Sequence, residues 1–214
     1  MPKNNNSICQ FNVFFKISDP LYSEVINISQ EINKNYPAKF YLDHKRALPH
    51  LSMYLFTTPN KNKEKVIETA KKLTKDLKPA NLTARQLIAG SGGYIMLEFE
   101  RSDEIYNTHC NVVNAFNPLR GGTQRKKYLD KDYFNKLSEL NKTYLTKYGH
   151  KFVFDRYEPH VSISVLDKKK DQQEVVNKYS QRLVGKKTKI EAFRILEDNY
   201  ETSGAKQLIY DELI

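Results

Sequence analysis

Two short strings of this chain share one order of residue types: LPHLSMYL at 48–55 and EPHVSISV at 158–165. Each reads proline, histidine, aliphatic, serine, aliphatic, and the two histidines lie 110 residues apart. Side chains alternate along a strand, so His50 and Ser52 project from one face, about 7 Å apart. Leu51, Met53 and Leu55 then point the other way, into a core. The second string places His160 and Ser162 alike, with Val161, Ile163 and Val165 behind them. Each strand offers an imidazole and a hydroxyl on a rigid support, and neither motif contains a carboxylate. An imidazole titrates near neutrality, so one ring can take a proton while the other gives one. Hydroxyls can hold oxygens on which charge develops. That set of groups suits the opening of a phosphodiester.

Other chemistries fit less well. A zinc site built on two histidines needs a third ligand, for which Glu158 and Asp155 are the nearest candidates. A serine nucleophile normally sits at a strand-to-helix elbow, and neither serine does. No metal and no cofactor is therefore expected. A single histidine on a strand is more often a satisfied structural residue; the repetition of the whole context argues otherwise here.

The elements around the motifs repeat as well. FNVFFKIS (11–18) reads as a strand, and Asp19-Pro20 opens a helix with Leu21, Val25, Ile28 and Ile32 on one face. The His50 strand follows, then a helix carrying Val66, Ala70, Leu73 and Leu77. LTARQLIAG (82–90), an SGG turn and YIMLEFE (94–100) form a hairpin. The second half replays this order. IMLEFERSDEIY (95–106) echoes VFFKISDPLY (13–22), and a helix with Ile105, Val112 and Phe116 inward follows. Then come the His160 strand, a helix with Val175, Val176, Tyr179 and Leu183, and a last hairpin of IEAFRIL (190–196), ETSGA and KQLIYDELI. The interval from His50 to Leu73 equals that from His160 to Leu183. The strand 94–100 aligns with the end of one unit and the start of the next, as two lobes exchanging a strand would require.

The expected fold is α+β: bilobal and pseudo-twofold-symmetric, with two antiparallel sheets lining a central groove and helices outside. The chain 1–214 is expected to form one such domain, with pseudo-repeats at about 8–93 and 94–214. An insert at about 117–148 has no counterpart in the first repeat. It begins with the Gly-rich basic loop NPLRGGTQRKKY and is expected to continue as a helix with Phe134, Leu137, Leu140, Tyr144 and Tyr148 along one side.

With HLSM (50–53) and HVSI (160–163) on strands of a repeated strand–helix framework, the chain resembles the two-histidine (2H) phosphoesterase superfamily over most of its length. That superfamily is marked by paired His-aliphatic-Thr/Ser-aliphatic motifs. The resemblance implies metal-independent hydrolysis of a nucleotide or RNA phosphodiester, either a 2′,3′-cyclic phosphate or a 2′–5′ linkage. It carries over His50 and His160 as the acid–base pair, and Ser52 and Ser162 as phosphate-binding hydroxyls. Two departures stand out. Both motifs use serine where threonine is common, which frees the hydroxyl rotamer, and the 117–148 insert exceeds a minimal member. A 2′–5′ RNA ligase and a non-catalytic RNA-binding module are the alternative functions.

Composition agrees with a polyanionic partner. A net charge of +10 and a pI near 9.4 favour RNA or a small nucleotide. Further substrate contacts are expected from Arg125, Lys127 and Tyr128, together with Arg120 and Lys126 of the same loop, and from Arg156 and Tyr157 just before the second motif. Arg46 precedes the first motif in the same way. Phe40 and Tyr41 read as core aromatics, and His44, His109 and His150 lack the motif context. Cys9 and Cys110 are too few for a disulfide framework, which fits a reducing compartment. The N-terminal stretch MPKNNNSICQFNVFF has no signal-peptide pattern, and no apolar run reaches a membrane span. A cytoplasmic monomer that does not enter membranes is expected.

Overall fold

The computed structural model describes residues 7–43, 47–198 and 206–214. The Arg46 and His44 positions and the turn at 201–205 lie outside the described residues. The described residues are α+β, with eight antiparallel strands and six α-helices among them, in the order β1 (Ile8–Ile17), α1 (Leu21–Asn35), β2 (Ala38–Tyr41), β3 (Leu51–Pro59), α2 (Lys63–Thr74), β4 (Asn81–Ala89), β5 (Tyr94–Phe99), α3 (Asp103–Phe116), α4 (Lys131–Asn135), α5 (Glu139–Tyr148), β6 (His160–Leu166), α6 (Gln172–Leu183), β7 (Lys187–Asp198) and β8 (Lys206–Leu213).

The strands follow one path, β2-β6-β5-β4-β7-β1-β3, with β8 paired to β7. Two separate sheets were expected; the structure instead joins two four-stranded parts. The joint is short, pairing Asn81–Thr83 of β4 with Lys187–Lys189 of β7. Beyond it β4 turns to pair with β5, and β7 to pair with β1. Two strands of the first half, β2 and β4, thus lie in the part that holds the His160 strand, and two of the second, β7 and β8, in the part that holds the His50 strand. The helices cross over in the same sense. α1, which follows β1, packs on β6 and β2, whereas α3, which follows β5, packs on β3. α6 covers β4 and β5, and α2 lies against α3 and β8.

Sequence pattern explains most of these elements. Leu21, Val25, Ile28 and Ile32 recur at helical spacing and are fully or almost fully buried beneath α1. The core is aromatic: Phe11, Phe15, Phe56, Phe99, Phe116 and Phe193 are completely buried, taking the bulk that tryptophan supplies elsewhere. β2, a four-residue strand, has no periodic signal and exists because β6 offers it an edge. The insert departs from expectation. It is not one helix but two short ones, because Ser138 caps a new start by accepting from the Asn141 N–H at 3.3 Å. Leu140, expected on the inner side, is 54% exposed. No helix among the described residues is long and apolar enough to cross a membrane.

Candidate active site

His160 opens β6 and His50 lies one residue before β3, and the two share one local geometry. His50 places Nδ1 2.8 Å from the carbonyl oxygen of Leu48, and His160 places Nδ1 2.8 Å from that of Glu158. A carbonyl only accepts, so in both rings Nδ1 carries the proton and Nε2 is the nitrogen without it. The residue between each carbonyl and its histidine is a proline, which has no N–H and holds its predecessor extended. Pro49 and Pro159 are both buried. The dipeptide Pro-His thus turns each ring back on its own backbone, and neither arrangement needs a distant residue.

The serines come next. Ser52 and Ser162 are half-buried, on the same side as their histidines, while Leu51, Val161 and Ile163 behind them are fully buried. Asn12 of β1 donates to the Ser52 hydroxyl oxygen at 3.2 Å, so the hydroxyl keeps its own hydrogen to donate elsewhere. After each serine the strand bulges. Phe14 faces Ser52 and Val13 faces Tyr54, leaving Met53 extra; Met96 faces Ser162 and Ile95 faces Ser164, leaving Ile163 extra. A bulge inverts the alternation beyond it. That corrects two sequence expectations: Tyr54 and Ser164, not Leu55 and Val165, turn into the core.

Each bulge is held from behind by a helix or segment of the other half of the chain. Ser29 of α1, fully buried, donates to the Ile163 carbonyl at 2.6 Å and accepts from the Leu42 N–H at 2.7 Å. Behind the first bulge, the Tyr157 hydroxyl reaches the Ser52 carbonyl and the Met53 sulfur, both at 3.3 Å. The Tyr157 ring stacks on His109 of α3 at 3.8 Å and 5°. Ser29→Ala strips one buried acceptor and one buried donor of their partner. It is expected to cost about 2 kcal/mol, read from the urea midpoint.

Tyr157 therefore does not line an open face, as expected from sequence. It is 5% exposed, and burial raises its phenol well above the ordinary range. Its role is to tie the approach to the second motif onto the strand of the first. Tyr128 is likewise buried, at 3%, under the Lys127 ammonium 4.9 Å from its ring. A base cannot stack there. Arg120, also 3% exposed, donates to the Lys147 and Thr123 carbonyls and braces the insert. Arg156 donates to Asn141 and lies 5.7 Å from the rings of Tyr144 and Phe152. Arg125 sits beside Tyr128, and Lys127 is exposed at the loop surface.

Sequence reasoning missed several neighbours of the motifs. Glu98 lies directly opposite His160 and accepts from Arg85 at 2.6 Å and from Gln86 at 2.7 Å. Arg194 lies opposite Phe14 and is taken by Asp211 in a two-pronged pair at 2.7 and 2.9 Å. Polar residues within apolar strands, such as Asn12 in FNVFF and Glu98 in IMLEF, were the available signal. Of the proposed third zinc ligands, Asp155 accepts from the Tyr144 hydroxyl and Glu158 lies 3.5 Å from Arg85. Among the described residues no three His, Cys, Asp or Glu side chains gather as a metal site.

Known proteins share this architecture. A family model described as "Protein of unknown function (DUF1045)" matches residues 55–201. No curated protein matches the chain by sequence. Solved structures resemble it closely in fold and hardly at all in sequence. TT0787 of Thermus thermophilus has a TM-score of 0.59 at 8% identity, over 95% of this chain and 97% of that one. E. coli LigT in its apo form has a TM-score of 0.54 at 8% identity, over 97% and 98%. E. coli LigT complexed with 3′-AMP has a TM-score of 0.53 at 9% identity, over 96% and 98%. The chain belongs to the DUF1045 family, and its fold is similar to that of TT0787 and E. coli LigT.

Proposed function

We propose that this protein is a phosphoesterase that opens a nucleotide or RNA phosphodiester, a 2′,3′-cyclic phosphate or a 2′–5′ linkage. The halves 8–93 and 94–214 form one unit, in which His50 and His160 address the same phosphate from two sides. The observation that carries this reading is the matched pair of Nδ1 contacts, to Leu48 and to Glu158, which orients both rings alike and puts the proton of each on Nδ1. A solved structure of E. coli LigT, similar in fold, holds 3′-AMP, which is consistent with a nucleotide ligand.

On a 2′,3′-cyclic phosphate the steps balance with two histidines. The neutral ring takes a proton at Nε2 from water, whose oxygen forms the new bond to phosphorus. The bond from phosphorus to one ribose oxygen breaks, and the protonated ring gives its Nε2 proton to that oxygen. Solvent then exchanges protons with both rings and restores the starting state. The hydroxyls of Ser52 and Ser162 donate to the non-bridging oxygens, where negative charge concentrates. Asn12 aids the first of these by occupying the Ser52 lone pair.

The test is hydrolysis of a nucleoside 2′,3′-cyclic phosphate and of a 2′–5′ dinucleotide with EDTA present. Turnover is expected to persist in EDTA and to follow a bell-shaped pH profile, one limb for the base and one for the acid. Activity abolished by EDTA would overturn the mechanism. Salt-sensitive RNA binding without turnover would mark the protein as a binding module instead.

A further inference from the structure

We propose that Tyr94, Val165 and Phe40 form a nucleobase platform, one row beyond the phosphate-holding serine of the second motif. This deepens the phosphoesterase reading and rests on it. Strand register places the residues. On β5 and β6, Glu98 faces His160, Met96 faces Ser162, and Tyr94 faces Val165. β2 continues the last row, with Phe40 opposite Val165. Directly opposed residues share a face, so all three rows lie on the side that carries His160. The bulge at Ile163 decides this. Without the extra residue, Ser164 would stand where Val165 does, and the row would be polar at its centre.

The rows change in character along the strands. The first is polar, with Glu98 beside His160. The second pairs Ser162 with Met96, whose terminal methyl lies over Gly90, 2.6 Å from where a Cβ would stand. The third is aromatic and open. Tyr94 is 43% exposed although β5 is flanked by strands on both sides, and Phe40 and Val165 are half-buried beside it. Two residues along β5 separate the Met96 and Tyr94 rows, about 7 Å, which is the reach of a nucleotide from its phosphate to its base. A phosphate held at His160 and Ser162 thus sets its base over an aromatic, mostly apolar row. Stacking there is tolerant of sequence, because every base presents a π face.

The experiment compares KM for a nucleoside 2′,3′-cyclic phosphate with KM for ribose 2′,3′-cyclic phosphate, which lacks the base. The wild-type protein is expected to favour the nucleoside by about 10–100-fold, the range of one base–aromatic stack. Tyr94→Ala should collapse that preference, and Tyr94→Phe should keep it. A preference that survives Tyr94→Ala, or that is absent in the wild type, overturns the platform. If neither compound is turned over, the phosphoesterase reading fails, and the platform is judged by calorimetry with adenosine 3′-phosphate against ribose 3-phosphate. Tighter binding of the nucleotide that Tyr94→Ala removes supports the platform, and equal binding of the two overturns it.

Discussion

Replacing His160 with alanine is expected to lower kcat for a 2′,3′-cyclic substrate by about 10²–10⁴-fold, the usual contribution of one positioned acid or base. His50→Ala is expected to do the same. In the proposed mechanism the two rings act as a unit, so the double variant should be little worse than the worse single one. The loss should fall on kcat rather than KM, since the serines and the rest of the site still hold the phosphate. Neither change should unfold the protein. Both side chains are only half-buried, and each makes a hydrogen bond to a carbonyl two residues away. A variant of either histidine that keeps near-wild-type kcat, with its far-ultraviolet spectrum unchanged, would remove the chemistry proposed for this site.

The second large effect is a loss of stability in mild acid, traced to His109. The ring is fully buried and stacked on Tyr157, and its Nε2 accepts from the Phe154 N–H at 2.9 Å. Burial holds its pKa down, to about 4, against the backbone of Met53, which favours the charged ring. The unfolded chain restores a value near 6.5. Between about pH 6.5 and 4 the unfolded state therefore binds the extra proton, and stability falls as pH falls. The stabilisation is complete above 6.5 and is lost on the way down through 4, about 3 kcal/mol for this one group. His150 adds to the same slope, since burial and then the Arg125 charge hold it neutral too. His109→Phe should flatten part of the slope, because a phenyl ring can stack on Tyr157 but cannot take a proton. Urea midpoints measured at pH 7, 5.5 and 4.5 on both proteins check this, and parallel slopes would refute the assignment. Since the Tyr157 hydroxyl reaches the Ser52 carbonyl, charging His109 also disturbs the back of the first motif.

Much of the architecture was legible because the signals were local. Helix faces such as Leu21-Val25-Ile28-Ile32 follow from spacing alone, and the Pro-His turn needs only neighbours in sequence. YIMLEFE aligns with both units by sequence, and as β5 it pairs with β4 on one side and β6 on the other. The expectations that failed concern burial of amphipathic side chains. Tyr128 and Tyr157 looked available to a ligand because their neighbours are basic, yet both rings fill space against the core. Phe40 packs against the core as its apolar context suggested, and its register sets it opposite Val165.

What the chain determined by itself is the placing of two imidazoles and two hydroxyls on matched strands, each histidine turned by its own proline. Alternation along a strand and the lack of an N–H on proline are properties of the local covalent structure. What only the tertiary structure decided is where alternation breaks and what stands behind the break. The bulges at Met53 and Ile163 exist between paired strands. They are held by Tyr157, 105 residues from Ser52, and by Ser29, 134 residues from Ile163. Such contacts depend on how helices and strands of one half are packed onto the other, and no periodicity within either string encodes that.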